Sequence, residues 1–453
     1  MKITIIGAGP GGYETAVAAA KKGHEVVIIS DGPVGGTCLN EGCIPTKCLC
    51  RNAEVLEDLS GGETFGISDL SYKFNFAKAI GRKNEVVAQL RQGVEFLLGG
   101  KGITLLRGKA SLVDAKTVKV SSQDHEVDGT IVSSDAIIIA TGSYSASLPI
   151  PGADLDGVIT SKEILDLEEV PKRLCVIGAG VIGLEFASIF KSFGSDVKVV
   201  EFCKEILPRF DTDLAKRLKQ ALGKRGIDIE TSAQVQKIEK TEEGLKVTFL
   251  KKEQPEEVVA DKVLMAVGRR PSVNALNLAD VGIEFTPKGI VTDSNMQTSV
   301  QGIYAIGDIT GGYMLAHVAS FQGLKALAAI SGEPCNIDLS IVPAAVFTMP
   351  EAATVGKTED ELKAAGIPAK CLKSFFRANG KALSMDQPEG FVKLVTAEDG
   401  QILGCHLFGA HSADIVQEVA ALMNRKATLE EFQAIIHAHP TLGEVLQSAA
   451  HSA

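Results

Sequence analysis

No run of about 18 uninterrupted apolar residues occurs in this 453-residue chain, so no membrane-spanning helix is expected. Positive charge is in short supply. The 46 Lys and Arg are outnumbered by 56 Asp and Glu, giving a net charge of −10, and nucleic acid is not an expected partner. The opening MKITIIGAG has a single Lys and too short an apolar run for a secretory signal. No second C-x2-C and no H-x3-H accompanies Cys38 and Cys43, so a four-ligand zinc set is incomplete and no metal is expected, although Cys48 and Cys50 keep a local metal site open as an alternative. Nine cysteines, odd in number and scattered, do not form a secreted disulfide framework. A reducing cytoplasm fits them better, with any disulfide there being catalytic.

What is present is an ordinary globular composition, 45% hydrophobic and 23% charged, on a chain too long for one core. Two to four domains are expected. The chain is organised around Gly35 to Lys47, reading GGTCLNEGCIPTK. In a straight helix, five residues at ~1.5 Å rise would set the two cysteines about 7.5 Å apart along the axis. A disulfide wants Cα atoms about 4.4–6.8 Å apart, so pairing requires a bent backbone. Gly42 permits a bend beside Cys43, and Pro45 fixes one. Spacing alone leaves a redox pair, a structural bridge, half a zinc site and two unrelated thiols all open.

The opening strand Lys2 to Ile6 runs into Gly7-Ala8-Gly9-Pro10-Gly11-Gly12, followed by an Ala-rich helix to Lys22 and the strand Val26 to Ile29. This is a G-x-G-x-x-G in its βαβ setting. Gly7 allows the turn, Gly9 admits a pyrophosphate, and Gly12 lets helix pack on strand. The position 23 residues beyond Gly7, where a ribose-binding carboxylate is expected, holds Ser30, with Asp31 next. Arg173 to Glu201 repeats the unit, with the fingerprint Gly178, Gly180 and Gly183. Here the same count lands on Glu201. A carboxylate accepts from both ribose hydroxyls and repels a 2′-phosphate, so Glu201 selects NAD over NADP.

Further on, helices are expected at about Cys48 to Leu59 and Phe76 to Leu98, and strands within Ile103 to Val120 and Ile131 to Ala140. Ala140-Thr141-Gly142 closes a strand. Val267-Gly268-Arg269-Arg270-Pro271 leaves the second nucleotide fold, and Gly302 to Asp308 is an apolar strand ending in Gly-Asp. From about Cys335 an antiparallel sheet is expected, with strands at Val342 to Phe347, Ala353 to Val355, Phe391 to Thr396 and Ile402 to Phe408. Near the end stands His437-Ala438-His439-Pro440-Thr441-Leu442-Gly443-Glu444. Pro440 is expected to start a helix and to project His439 away from it. Glu444, one turn in, would then orient the imidazole as a base.

GGTCLNEGCIPTK resembles the redox segment of the flavoprotein disulfide reductases, the glutathione reductase-like family. The fingerprints, the Gly-Asp strand and the His–Glu terminus follow in that family's order, and the terminus is most similar to its lipoyl-linked members. The resemblance implies an α/β fold with two Rossmann-like dinucleotide-binding domains, for FAD (1–145 and 270–334) and NAD (146–269), and a C-terminal α+β dimerisation domain (335–453). It implies catalysis by Cys38, Cys43, His439 and Glu444. FAD contacts fall to Gly7, Gly9, Gly12, Ser30 or Asp31, Gly36, Thr37, Lys47, Thr141, Gly142, Asp308, Met314, Leu315, Ala316 and His317. NAD contacts fall to Gly178, Gly180, Gly183, Glu185, Glu201 and Gly268. Glu185 would pair with Lys47 beside the flavin ring, and Met314 to His317 would lie on the next helix. Gly443 stands where the lipoyl-linked members often have Ser.

The function so implied is oxidation of dihydrolipoyl groups by NAD+ in a homodimer, cytoplasmic, serving 2-oxoacid dehydrogenase or glycine-cleavage complexes. An NADPH-dependent reductase of glutathione or a related disulfide is the alternative, and Glu201 counts against it. A non-catalytic nucleotide-binding or redox-sensing subunit is a third reading, opposed by the intact Cys–Cys–His–Glu set.

Overall fold

The computed structural model describes residues 1–452. The chain divides into two compact units. The first comprises Met1–Cys48, Ile80–Ala146 and Gly268–Leu339; the second comprises Leu49–Ala79, Ser147–Val267 and the chain from Ser340 onward.

In the first unit the strand Lys2–Ile6 pairs in parallel with Glu25–Ser30 on one side and Ala136–Ile139 on the other. Ile103–Arg107 and Ile303–Ala305 form the edges of this five-stranded sheet. Both faces are covered. Ile3, Ile5, Val26 and Ile28 pack against Ala16, Ala19 and Leu327 of the helices Pro10–Lys21 and Ala316–Ser331. Ile6, Val27, Ile29 and Ile139 face the other way, against Val118 and Val120 of a small antiparallel sheet. Burial on both faces is why these strands are apolar at nearly every position. The two helices approach closely because one residue lacks a side chain: a Cβ on Gly323 would lie 1.8 Å from Thr15 Oγ1.

The second unit repeats the plan. Its parallel sheet runs Asp228–Glu230, Asp196–Val200, Arg173–Ile177, Lys262–Met265, Val158–Ile159. A three-stranded antiparallel sheet, Ala233–Thr241, Gly244–Lys251 and Gln254–Ala260, is inserted before its Lys262–Met265 strand. After Ser340 comes a five-stranded antiparallel sheet in the order Ala344–Val346, Glu351–Gly356, Ile402–Gly409, Phe391–Thr396, Lys370–Phe375. Phe376, Leu394, Leu407, Val416 and Leu446 form its core with the helices Ser412–Asn424 and Glu444–Ala450. Two nucleotide-binding α/β folds and a C-terminal α+β segment are therefore present. The helix expected at Cys48 to Leu59 begins earlier, at Cys43, and ends at Ser60. The Phe76–Leu98 helix has the expected bounds.

One ionic group inside the second unit is fully enclosed. Lys393, 2% exposed, extends its ammonium to Asp211 Oδ2 at 2.9 Å and Glu359 Oε2 at 2.5 Å. Asp211 also caps the helix Thr212–Lys224, accepting from the amides of Asp213 and Leu214. Lys363 and Lys393 hold the Glu359 carboxyl down to about 2. Among the described residues no helix is long and apolar enough to cross a membrane.

Candidate active site

The cysteine segment is two helices with a break between them. Cys38 lies on Gly36–Glu41 and Cys43 opens Cys43–Ser60. Gly42 between them has φ −147° and ψ −108°, the bend that the spacing demands. Thr46 Oγ1 donates to the Gly42 carbonyl at 2.6 Å and so caps the break. Asn40 is a further tether: its amide donates to Val34 O (3.0 Å) and Gly36 O (2.9 Å), and its carbonyl accepts from Arg91 Nε at 2.9 Å. Nothing in the sequence pattern marked Asn40 or Arg91, since their partners are a turn away or on another helix.

Cys38 and Cys43 are thiols here, and their side chains hydrogen-bond to each other. The bond to Cys43 pushes the Cys38 thiol well above its ordinary range, helped by burial, while the Lys47 ammonium pulls it back. Cys38 is therefore held as a thiol, hydrogen-bonded to Cys43 with the Lys47 ammonium nearby. Cys43 is also the more exposed of the two.

The first fingerprint meets this segment directly. Gly7 has φ +108°, and a Cβ on Gly12 would lie 1.9 Å from the Gly7 carbonyl oxygen, so both positions exclude a side chain. A Cβ on Gly36 would lie 2.7 Å from Gly9 Cα, which sets the cysteine segment against the fingerprint turn. Ser30 is buried and its hydroxyl donates to the Gly32 carbonyl at 2.9 Å, whereas Asp31 is exposed. Thr141 Oγ1, next to Gly7, is buried without a hydrogen-bond partner. Beside it Ser143 Oγ donates to Asp308 Oδ2 at 2.5 Å, and Arg269 Nε donates to Ser143 Oγ at 2.7 Å. Burial lowers the Arg269 guanidinium, and the charges of Asp308, Cys43 and Glu41 oppose that shift. Cys43, Arg269, Ser143 and Asp308 are therefore neighbours, and neither Ser143 nor Arg269 was anticipated. The unpartnered Thr141 hydroxyl, the side-chain-free turn and the Asp308 carboxylate suit a dinucleotide bearing a pyrophosphate and a polyol. Met314 and Leu315 correct the expectation of a helical placement: the helix starts at Ala316, because Leu315 is extended at φ −127° and ψ 136°. His317 stands exposed in its first turn.

The second fingerprint has the same shape. Gly178 has φ +105°, a Cβ on Gly183 would lie 2.0 Å from Gly178 O, and nothing lies within 4 Å of one on Gly180. Glu201, 7% exposed, closes the turn: Oε2 accepts from Ala179 N at 2.5 Å and Oε1 from Cys203 N at 2.7 Å. The carboxylate lies at the end of the second strand, beside the turn, and the open space at Gly180 suits a pyrophosphate. Glu185, 4% exposed, accepts from the Phe347 amide at 3.0 Å. Gly268 has φ +106° with open space around it.

At the terminus, Glu444 opens the helix Glu444–Ala450 and points both oxygens back along the loop. Oε1 lies 2.9 Å from His439 Nδ1, and Oε2 accepts from Thr441 N at 2.7 Å. These two groups lower the Glu444 carboxyl, the Thr441 amide most. Pro440 does not start the helix as expected. It lies in a bend four residues earlier, where Thr441 turns its amide to the Glu444 carboxylate rather than into a helical ladder. The outcome for His439 is the expected one: its side chain is 80% exposed and its ring is tethered through Nδ1. Such a pair can accept a proton from a thiol brought to it.

Residues 1–323 match the family profile described as pyridine nucleotide-disulphide oxidoreductase, and residues 342–450 match its dimerisation domain. A dihydrolipoyl dehydrogenase of Bacillus subtilis (strain 168) is 40% identical over 452 residues, covering 99% of this chain and 95% of that relative. A dihydrolipoyl dehydrogenase of Chlamydia muridarum is 37% identical over 98% of this chain and 95% of its own. Among solved structures, LpdA from Mycobacterium tuberculosis superposes with a TM-score of 0.91 at 27% identity, covering 100% of this chain and 99% of that one. The HOCl-induced flavoprotein disulfide reductase RclA from Escherichia coli gives 0.87 at 29% identity over 100% and 99%.

Proposed function

The chain belongs to the pyridine nucleotide-disulphide oxidoreductase family, and from that premise we propose that it works as a dihydrolipoyl dehydrogenase, oxidising dihydrolipoyl groups to lipoyl and reducing NAD+ to NADH. Cys38, Cys43, His439 and Glu444 carry the thiol chemistry. In the oxidised enzyme Cys38 and Cys43 are joined. His439, held by Glu444, takes the proton from one substrate thiol. The thiolate attacks Cys38 and displaces Cys43 as a thiolate, which Lys47 stabilises. The second substrate thiol then attacks the substrate sulfur of the mixed disulfide, its proton passing to the departing Cys38 sulfur, which frees Cys38 as a thiol and closes the lipoyl ring. The substrate dithiol is oxidised and the enzyme disulfide reduced, with no atom left over. FAD bound there would supply the two-electron relay between the reduced cysteines and NAD+.

Gly7, Gly9, Gly12, Gly36, Thr37, Thr141, Gly142 and Asp308 would hold FAD, with Met314 to His317 lining it. Gly178, Gly180, Gly183, Glu201 and Gly268 would hold NAD, and Glu185 with Lys47 would flank the flavin. Three functional domains follow: 1–145 with 270–334 for FAD, 146–269 for NAD, and 335–453 for dimerisation. We place the enzyme in the cytoplasm as a homodimer, with lipoyl domains of 2-oxoacid dehydrogenase or glycine-cleavage complexes as partners and His439 serving the cysteines of the opposite subunit.

The observation that carries this reading is the Cys38–Cys43 pair, hydrogen-bonded side chain to side chain across the Gly42 bend with Lys47 beside it. Steady-state turnover with dihydrolipoamide and NAD+ tests it. Cys43→Ser should abolish turnover, and residual activity near the parent rate refutes the relay. Substituting NADP+ should cost at least about tenfold in kcat/KM, because Glu201 repels the 2′-phosphate. Mixing Cys38→Ala with His439→Ala subunits should restore activity in hybrids; no recovery refutes the shared site.

A further inference from the structure

The terminal loop holds a second histidine–carboxylate pair that the chemistry above leaves unused. His437 precedes His439 by two residues and is its opposite in exposure, 7% of the side chain against 80%. His437 Nε2 lies 2.9 Å from Glu418 Oε1, on the helix Ser412–Asn424, and Nδ1 lies 3.2 Å from Ile435 O. Both ring nitrogens therefore face oxygen atoms of the protein. The ring centroid is 6.0 Å from that of Phe432, and its Cδ2 is 3.8 Å from the position of a Cβ on Gly443, the residue before Glu444.

The arrangement matters because His439 is poorly fixed on its own account. Among the described residues its ring is held through Nδ1 by Glu444 alone, on a segment outside any helix or strand. A base held so loosely loses rate steeply, since a misplacement of ~1 Å can cost about a hundredfold. The loop's backbone is tied at one end by Asn379, whose amide donates to Thr441 O at 3.0 Å. At the other end a partly buried tether is His437 on Glu418.

We propose that His437, anchored by Glu418, is a positioning residue for dithiol oxidation: it fixes the loop so that His439 meets the substrate thiol while still bonded to Glu444. This rests on the assignment of His439 as the base.

Reduction of the bound flavin by dihydrolipoamide, followed by stopped flow in the holoenzyme, tests the proposal. His437→Ala and Glu418→Ala should each slow it about tenfold or more, with KM for the dithiol changed less than about threefold. His437→Gln places an amide near the Nε2 position and should recover the rate to within about threefold of the parent. His437→Ala in a His439→Ala background should cause no further loss, because the effect runs through His439. NADH oxidation by ferricyanide bypasses the dithiol step, so in His437→Ala it should stay within about twofold of the parent, as a loss confined to one step requires. An unchanged flavin-reduction rate in His437→Ala, further slowing in the double variant, or a parallel fall in both partial reactions overturns the proposal. If the parent itself fails to oxidise dihydrolipoamide, the functional reading falls, and the proposal with it. If the parent turns over and only His439→Ala impairs it, the positioning role alone is refuted.

Discussion

The two nucleotide-binding folds are built alike and finished differently. Both have a five-stranded parallel sheet with the fingerprint strand at its centre, and both carry a three-stranded antiparallel sheet. Their first glycines have φ +108° and +105°, and their third glycines would put a Cβ 1.9 and 2.0 Å from a carbonyl oxygen. At the end of the second strand they part. Glu201 bonds the amides of Ala179 and Cys203, whereas Ser30 turns its hydroxyl to Gly32 O. The glycines are thus a steric requirement of the turn, indifferent to the ligand. The residue at the strand end differs between the two turns, a carboxylate bonded to two amides in one and a hydroxyl bonded to a carbonyl in the other.

The most severe way to break the likeness is to add a methyl group at the third glycine. Gly12→Ala and Gly183→Ala should each cost about 3 kcal/mol or more, because the obstacle is backbone and cannot rotate away. Gly180→Ala, in open space, should be tolerated for stability. Thermal unfolding with flavin content measures all three, and unfolding of Gly183→Ala at the parent temperature breaks the steric argument. Next in size is the enclosed Lys393 of the second unit. Lys393→Ala leaves the buried Asp211 carboxylate without its cation, while Glu359 keeps Lys363, and should cost about 3–5 kcal/mol in denaturant unfolding.

A smaller effect sharpens the difference at the strand ends. Glu201→Ser makes the second fold like the first, and it should raise KM for NAD+ about tenfold to a hundredfold, the worth of one or two hydrogen bonds to a charged group. Acid acts on the second unit through its Lys393 cluster. The Glu359 carboxyl is held at about 2, below its ordinary value, so its stabilisation is complete above the ordinary range and disappears as pH falls toward 2. Lys393→Met should flatten that part of an acid-unfolding curve. The smallest change belongs to Ser30→Ala, which should alter FAD release by less than about threefold, because the hydroxyl is already committed to Gly32.

Much of this was legible because it is local. Glycine spacing fixes the turns, apolar runs fix the buried strands, and Gly42 marks the bend between Cys38 and Cys43. What was hidden depends on distant partners or on unmarked turns. Lys393 meets Asp211 across 182 positions of chain, and Ser143 meets Asp308 across 165. The hairpin turn at Lys252 and Glu253 has φ of +48° and +64° without a glycine, so no Asn-Gly or Gly-Gly signal announces the inserted sheet. Pro440 misled because a proline that suits a helix start suits a bend equally well. The Glu444 carboxylate settled that choice by binding Thr441 N.

The sheet orders also constrain biosynthesis. Ile303–Ala305 supplies an edge of the first sheet, beside Ala136–Ile139, whereas the second sheet draws its edge strand, Val158–Ile159, from just upstream of its own fingerprint. On the ribosome the second nucleotide fold can close as soon as Met265 has emerged. The amino-terminal one stays a strand short until Ala305 arrives, a wait of roughly 10–30 s after Ile139 at ~5–20 residues per second. The half translated first is therefore completed last, and during that interval its Ala136–Ile139 strand is an open edge for a chaperone to shield.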